Sequence, residues 1–175
     1  GGGEVGDEQW LIPGVASGRV HRKQANSRCE TELCAWAEPF STFATLRGMK
    51  YPRGYLDVAW KHLLQNHPHD SICGCSIDQA HKDMEYRFDQ CMQIGSQVTA
   101  EALRFIADRV DLPEVGPRDI ALVVFNPSTD PVNGPVDLTL RFPTELDAVF
   151  QEFFGFEPKI GFRLFDAEGK EVPYQ

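Results

Sequence analysis

The sequence predicts an α+β chain in which a three-helix bundle is followed by the opening strands of a β-sandwich-like domain. Apolar residues recur at steps of three and four in three stretches before residue 112, which is the period of helices packed in a bundle. After a Pro- and Gly-rich break at 112–117, short Val-rich and alternating runs are typical of strands. The predicted organisation is a lead-in segment or loop at 1–25, a helical domain at 26–112 and a truncated β-domain at 118–175.

The first predicted helix runs from Asn26 or Ser27 to about Ala44. Ser27 and Glu30 have the spacing of a capping box, in which each side chain satisfies a backbone N–H that the helix leaves unpaired. Pro39 interrupts the backbone hydrogen bonds and is expected to kink the helix. One apolar stripe is expected to face the core, and it comprises Cys29, Leu33, Trp36, Phe40 and Phe43.

Two further helices are predicted on either side of a central loop. The second spans about Tyr55–Gln65, and the third begins at about Ile77, after a second capping-box pair formed by Ser76 and Gln79. About thirty residues at 1.5 Å each make the third helix about 45 Å long. The positions expected to be buried are Leu56, Trp60, Leu63 and Leu64 on the second helix, and Ile77, Ala80, Met84, Phe88, Cys91, Gly95, Val98, Ala102 and Phe105 on the third.

Strand patterns occupy the C-terminal third of the sequence. The continuous apolar run Ile120–Phe125 predicts a buried strand, and the alternation within Val136–Phe142 predicts a strand with one solvated face. Phe162–Phe165, the turn Asp166–Gly169 and then Val172 predict a hairpin. Because the chain stops as the second arm begins, and starts with Gly-Gly-Gly-Glu in place of an initiator Met or a secretory signal, we expect a fragment of a larger multidomain protein.

Composition and charge exclude several classes of function. A net charge of -9 and a pI near 5.0 argue against nucleic-acid binding, which requires clustered Lys and Arg. The sequence holds no run of eighteen apolar residues, so no membrane span is expected. Five cysteines at irregular spacing fit free thiols in a reducing cytoplasm.

A small basic cluster stands out against this acidic background. It precedes the first predicted helix, where a solvated positive patch is the simpler interpretation. Contact with an anionic or polyhydroxy ligand is the alternative. The cluster comprises Arg19, His21, Arg22 and Lys23.

The central loop, Gln65–Ser76, holds two imidazoles, a carboxylate and two thiols in twelve residues. Within it, His69 and Asp70 are expected on irregular backbone between two rigid helices, a common position for functional groups. A neutral imidazole can bind a metal, and an adjacent carboxylate can bind metal or substrate hydroxyls or orient the ring. Hydrogen-bonded loop residues without a function remain the alternative for both side chains.

The two thiols of the loop could belong to a structural zinc site or to a redox motif. Structural zinc commonly takes two close pairs of Cys or His, and no second pair follows Cys73 and Cys75. A thioredoxin-like motif needs two intervening residues, whereas Gly74 alone separates these cysteines. Small buried thiols are therefore predicted. His62 and His81 are interpreted as packing or helix-surface residues.

The sequence of Ala59–Ser76 resembles the middle-domain signature of the α-mannosidases of glycoside hydrolase family 38. Ser17–Asn26 resembles the family's stretch that enters the helical domain, and the part beyond about residue 118 is similar to the start of its C-terminal β-domain. The cysteines of the loop resemble the bacterial and cytoplasmic branch, which implies a cytoplasmic protein. The match to the signature continues through Asp78, His81, Met84 and Arg87-Phe88.

The resemblance implies a retaining glycoside hydrolase that cleaves terminal α-mannosyl residues and depends on zinc or another divalent cation. His69 would be a metal ligand, and Asp70 would contact hydroxyl groups of the α-mannoside. The remaining ligands, a His and two Asp residues, one of them the nucleophile, would come from an N-terminal α/β domain of the same chain. The fragment would then hold no nucleophile and be inactive alone, and the intact protein could form a homo-oligomer.

Two alternatives remain at this stage. A non-catalytic helical interaction module or carbohydrate-binding module would explain the bundle and the strands equally well. An H-x-D pair in an α/β pattern upstream would favour the hydrolase. A cysteine-based metal or redox module would require thiol-dependent metal binding by the fragment itself. The mannoside linkage and the aglycone are left open.

Overall fold

The computed structural model describes residues 14–112, 116, 119–142, 150–151, 158–159 and 161–174. The first thirteen residues of the predicted lead-in segment therefore lie outside the described residues. The chain divides into two compact units. The helical unit holds the described residues up to 112 together with 121–132, and the second unit holds the described residues of 114–120 and 133–175.

Three long helical stretches form the helical unit, as the periodicity predicts. The first is continuous and consists of helix α1, a π-helical segment and helix α2. The second is helix α3, and the third is helix α5, which packs against both of the others. A fourth, short helix α4 lies in the central loop, so the prediction of irregular backbone at His69 and Asp70 is wrong. The bounds are α1 Val20–Thr31, the π-helical segment Glu32–Ala37, α2 Glu38–Leu46, α3 Arg53–Leu64, α4 His69–Ile72 and α5 Asp78–Ala107.

The predicted start of the first helix is wrong. Helix α1 begins at Val20, so Ser27 lies inside it and cannot cap its first turn. A local turn sets the start, since Gly14 has a φ of 83° and its carbonyl accepts a bond of 2.7 Å from the Gly18 amide. Arg19, with a φ of 48°, then directs the chain into the helix. Capping spacing is a local signal, and here the turn before the helix outweighs it.

The interruption predicted at Pro39 takes the form of a π-helical segment. Pro39 lies in the first turn of α2, directly after Glu32–Ala37. Proline has no N–H to donate to the carbonyl four residues earlier, and a wider π-helical turn is one way in which a helix accommodates such a break.

Helix α5 has the predicted length of thirty residues, but its predicted cap is wrong. Ile77 occupies the N-cap position, which puts Ser76 one residue too early. Ser76 and Gln79, the predicted capping pair, both lie among the described residues. The Gln79 Nε2 donates to Asp83 Oδ1 at 3.0 Å and does not make the capping contact. The Ser76 amide instead donates to the Asp70 carbonyl at 3.0 Å.

The core of the helical unit lies along α5. The predicted stripes are largely confirmed, but the predictions for Ile77, Phe43 and Leu64 are wrong, since these side chains are 75%, 55% and 54% exposed. Gly95 permits the close approach of the π-helical segment, because a Cβ at this position would lie 2.8 Å from Glu32 Cγ. The buried cluster consists of Cys29, Leu33, Ala37, Leu56, Ala59, Leu63, Met84, Phe88, Cys91 and Val98.

Adjacent leucines on α3 give a matched test of this core. Leu63 is fully buried and Leu64 is 54% exposed. Leu63→Ala should lower the free energy of unfolding by about 2–5 kcal/mol, because it leaves a cavity beside α5. Leu64→Ala should change it by no more than about 0.5 kcal/mol. Urea unfolding followed by circular dichroism measures both, and equal effects would contradict the assigned packing.

The second unit contains less strand structure than predicted. Strand β1, Phe150–Gln151, pairs antiparallel with β2, Pro158–Lys159, in the register Phe150 with Lys159. The predicted hairpin is present as a single bridge between Phe165 and Glu171, next to a bond of 2.8 Å from the Val172 amide to the Leu164 carbonyl.

The predicted strands within Ile120–Phe125 and Val136–Phe142 are wrong, since the described stretch 119–142 contains no strand. A strand needs a partner for its backbone groups, and an alternating pattern does not supply one. Phe125 instead packs edge-on against Phe40 of the helical unit, with ring centroids 5.6 Å apart. The opening of a β-sandwich-like domain is therefore not confirmed, and the described chain is mostly helical. Among the described residues, no helix combines the length and apolar character that a membrane span requires.

Candidate functional site

The central loop is anchored to the bundle by amide side chains. Asn66 is fully buried at the end of α3. Its Nδ2 donates to the Met84 carbonyl at 3.0 Å, and its Oδ1 accepts from Arg87 Nη1 at 3.3 Å. His67 Nε2 lies 2.7 Å from Asn26 Oδ1 on α1. These contacts fix the loop relative to α1 and α5.

His69 and Asp70 form the first turn of α4, directly after Pro68. Their side chains are 95% and 67% exposed, and His69 Nε2 lies 3.4 Å from Asp70 Oδ1. Neither side chain is buried as packing for the helices. The structure therefore presents an accessible imidazole and an accessible carboxylate side by side, and both can accept bonds from an external group.

The two cysteines of the loop face the same carboxylate. Cys73 Sγ lies 3.3 Å from Cys75 Sγ, which in turn lies 3.3 Å from Asp70 Oδ1. Cys75 is exposed and Cys73 is half-buried, so the prediction of small buried thiols is wrong. A hydrogen bond with Cys73, and then one with Asp70, raise the pKa of Cys75 to about 11. The contact of Cys75 adds to the polar surroundings of the carboxylate.

Backbone geometry holds this turn in one conformation. Gly74 has a φ of 93°, a conformation that residues with a Cβ rarely adopt. A Cβ at this position would lie 3.0 Å from the Gly18 carbonyl oxygen. Gly74 therefore lets the loop pack closely on the chain that enters α1.

Two residues of the basic cluster make hydrogen bonds and ion pairs with other parts of the chain. Arg19 Nε donates to the Gly74 carbonyl at 3.2 Å, and Arg19 Nη2 pairs with Asp78 Oδ1 at 2.6 Å. The Arg19 hydrogen bond lowers the pKa of Asp78. Arg22 is largely buried and pairs with Glu85 of α5. The solvated patch predicted for this cluster is therefore wrong for Arg19 and Arg22, which bind the loop and α5.

His81 and His62 are packing residues, as interpreted from the sequence. His81 is 1% exposed, and burial is the main reason that its pKa lies below the usual value, with Arg19 and Arg22 as further causes. The His62 ring packs edge-on against Tyr86, with centroids 6.2 Å apart. Of the histidines in or beside the loop, His69 is thus the one whose ring is directed to solvent.

Comparison with known proteins agrees with this architecture. Residues 11–106 match the model of the family described as "Alpha mannosidase middle domain". A protein of Halalkalibacterium halodurans named "Putative mannosylglycerate hydrolase" is 38% identical over 110 residues, which are 63% of this chain and 12% of that protein.

Two crystal structures from Enterococcus faecalis also resemble the chain. They are a protein in glycosyl hydrolase family 38 and an α-mannosidase of strain V583. Each is 42% identical with a TM-score of 0.55, and each covers 56% of this chain. The match spans 12% of the first solved chain and 11% of the second.

The helical unit is thus of the kind found within glycoside hydrolases of family 38. The chain belongs to the α-mannosidase middle-domain family. It spans about an eighth of the length of the curated relative.

Proposed function

We propose that this chain supplies one half of the active site of a zinc-dependent, retaining α-mannosidase, which cleaves terminal α-mannosyl residues. The observation that carries the proposal is the exposed pair His69 and Asp70, side by side on α4. The family match and the hydrolase relatives support it. A helical interaction or carbohydrate-binding module would not need an accessible imidazole at this position.

His69 fits the role of a single metal ligand. Its ring is 95% exposed, and its nearest charged neighbour is the Asp70 carboxylate at 3.4 Å. A catalytic zinc site needs about three protein ligands, so one imidazole does not hold the ion tightly. The remaining ligands, a His and two Asp residues, would come from an N-terminal α/β domain of the same chain. One of those Asp residues would be the nucleophile.

Asp70 fits the role of a sugar contact. Its carboxylate is 67% exposed and can accept hydrogen bonds from hydroxyl groups of the mannosyl ring. The Ser76 amide holds the Asp70 backbone, and Cys75 holds one side-chain oxygen. These contacts orient the carboxylate before the substrate arrives, which reduces the entropy lost on binding. Zinc, when bound, would orient sugar hydroxyls near the reacting carbon.

The proposal is tested by assaying the full-length protein that contains this sequence against a panel of α-mannosides. The panel includes disaccharides, mannosylglycerate and a phosphorylated mannoside. We expect turnover of at least one member, loss of activity with a chelator and recovery with Zn²⁺. The 175-residue chain alone should show no turnover, because it would carry neither the nucleophile nor a full ligand set. Turnover by this chain, or chelator-insensitive activity of the full-length protein, would contradict the proposal.

A further inference from the structure

The carboxylate of Asp70 faces two sulfur atoms as well as the His69 ring. Cys73 Sγ, Cys75 Sγ and an Asp70 oxygen all lie within 4.8 Å of one another. Two of the three separations, between the sulfurs and between Cys75 Sγ and Asp70 Oδ1, are both 3.3 Å. The three atoms thus form a compact group open to solvent on the Cys75 side.

These separations are close to those of a tetrahedral metal site. Zinc bonds of about 2.3 Å to sulfur and about 2.0–2.2 Å to oxygen put neighbouring ligand atoms about 3.5–3.8 Å apart. The observed contacts of 3.3 Å would therefore have to open by only a few tenths of an ångström. Thiolate and carboxylate together suit a borderline-soft divalent cation, and thiolate disfavours Mg²⁺ and Ca²⁺.

The surrounding backbone preorganises this group. Gly74, between the two cysteines, is held by its close approach to Gly18 and by the bond from Arg19 Nε. The Lys23 Nζ lies 3.4 Å from the Cys73 carbonyl. Arg19 and Lys23 thus hold the backbone carbonyls of Gly74 and Cys73. Such rigidity favours a site that is formed before the ion arrives.

We infer that Cys73, Cys75 and Asp70 form a binding site for a zinc-class divalent cation, separate from the ligand role of His69. On binding, two S–H bonds break and their protons pass to the buffer, while two metal–sulfur bonds and one metal–oxygen bond form. No electrons are transferred. A water molecule can take the fourth position. Occupancy would withdraw Asp70 from sugar binding and so inhibit the hydrolase; this consequence rests on the proposed function, whereas the site itself does not.

The test is a calorimetric titration of the reduced 175-residue chain with ZnCl₂. We expect one ion per chain, with proton release that scales with the buffer. Cys73→Ser and Cys75→Ser should each weaken binding at least about tenfold, the low end of the loss seen when even an outer-shell partner is removed. Cys34→Ser, at another exposed cysteine, and His69→Ala are the controls and should leave the affinity unchanged. Co²⁺ should give a sulfur-to-metal charge-transfer band that Cys75→Ser removes.

A second measurement does not depend on the folding of variants. Zn²⁺ should slow the alkylation of Cys73 and Cys75 by iodoacetamide in the unmodified chain and leave that of Cys34 unchanged, as mapped by mass spectrometry. Absence of binding, binding that survives both Ser variants, or equal protection of Cys34 would overturn the inference. Loss of binding in His69→Ala would overturn the separation of the two roles. Failure of the hydrolase assays with intact thiol-dependent binding would refute the proposed function alone.

Discussion

His69→Ala in the full-length protein should remove the zinc bound at the His69 site and lower α-mannosidase activity at least about a hundredfold. Loss of an outer-shell partner alone costs a metal site about 10–100-fold, and a direct ligand contributes more. The ring is 95% exposed and does not stabilise the helical core, so the variant should fold normally. Metal analysis by mass spectrometry and the kcat/KM for the best α-mannoside measure the two effects.

His21→Ala is the matched control, because His21 is an exposed histidine on α1, outside the loop sequence. It should retain both the metal and the activity. Unchanged zinc content and unchanged rate in His69→Ala would remove His69 from the site and, with it, the main support for the proposed function.

Asp70→Asn should lower kcat/KM by about tenfold to 150-fold, while the zinc bound at the His69 site stays at the level of the unmodified protein. The substitution keeps the shape of the side chain and removes its charge, and a hydrogen bond to a charged group contributes about 1.5–3 kcal/mol. The loss should be largest for substrates with every mannosyl hydroxyl present, because deoxy analogues lack a partner for the carboxylate.

The exposed carboxylate of Asp83 on α5 provides the control for this second prediction. Asp83→Asn should leave kcat/KM unchanged. A fall in the zinc bound at the His69 site of Asp70→Asn, or a rate that does not fall, would contradict the role of Asp70 as a sugar contact.

The helical unit follows from sequence because its signal is periodic and long. Thirty residues of α5 repeat the same apolar step, and four of its buried side chains join one core cluster with residues of the other two helical stretches, namely Met84, Phe88, Cys91 and Val98. The ends of the helices are harder to predict from sequence. Ser27 and Ser76 both have the spacing of a capping box, and neither caps a helix. Their boundaries depend on contacts distant in sequence, such as that of Arg19 with Gly74 and Asp78.

The strand predictions failed for a related reason. An alternating run such as Val136–Phe142 reports which side chains prefer burial, but a strand also requires a neighbour at hydrogen-bonding distance. Phe125 shows the effect, because its ring packs on the helical unit through Phe40.

Residue types indicate the position of the candidate site, but they do not indicate the contacts that hold the loop in place. The density of His, Asp and Cys marked the central loop, and the resemblance singled out His69 and Asp70. The sequence pattern does not indicate that Asn26, Asn66 and Arg87 anchor the loop, although the fully buried Asn66 at the end of a helix holds it in place. The available signal is an amide side chain directly after the last turn of a predicted helix, in Leu63-Leu64-Gln65-Asn66. The arrangement of Cys73 and Cys75 around Asp70 depends on the φ of Gly74, which spacing alone did not reveal.

The central claim is that this chain contributes His69 to a zinc site and Asp70 to the sugar bound there. It is tested most directly by a crystal structure of the full-length protein with zinc and an unhydrolysed α-mannoside, with zinc located by anomalous scattering. The account predicts a ring nitrogen of His69 at about 2.0–2.1 Å from the ion and an Asp70 oxygen within about 3 Å of a mannosyl hydroxyl. A zinc ion coordinated without His69, or a mannosyl ring bound away from α4, would contradict it.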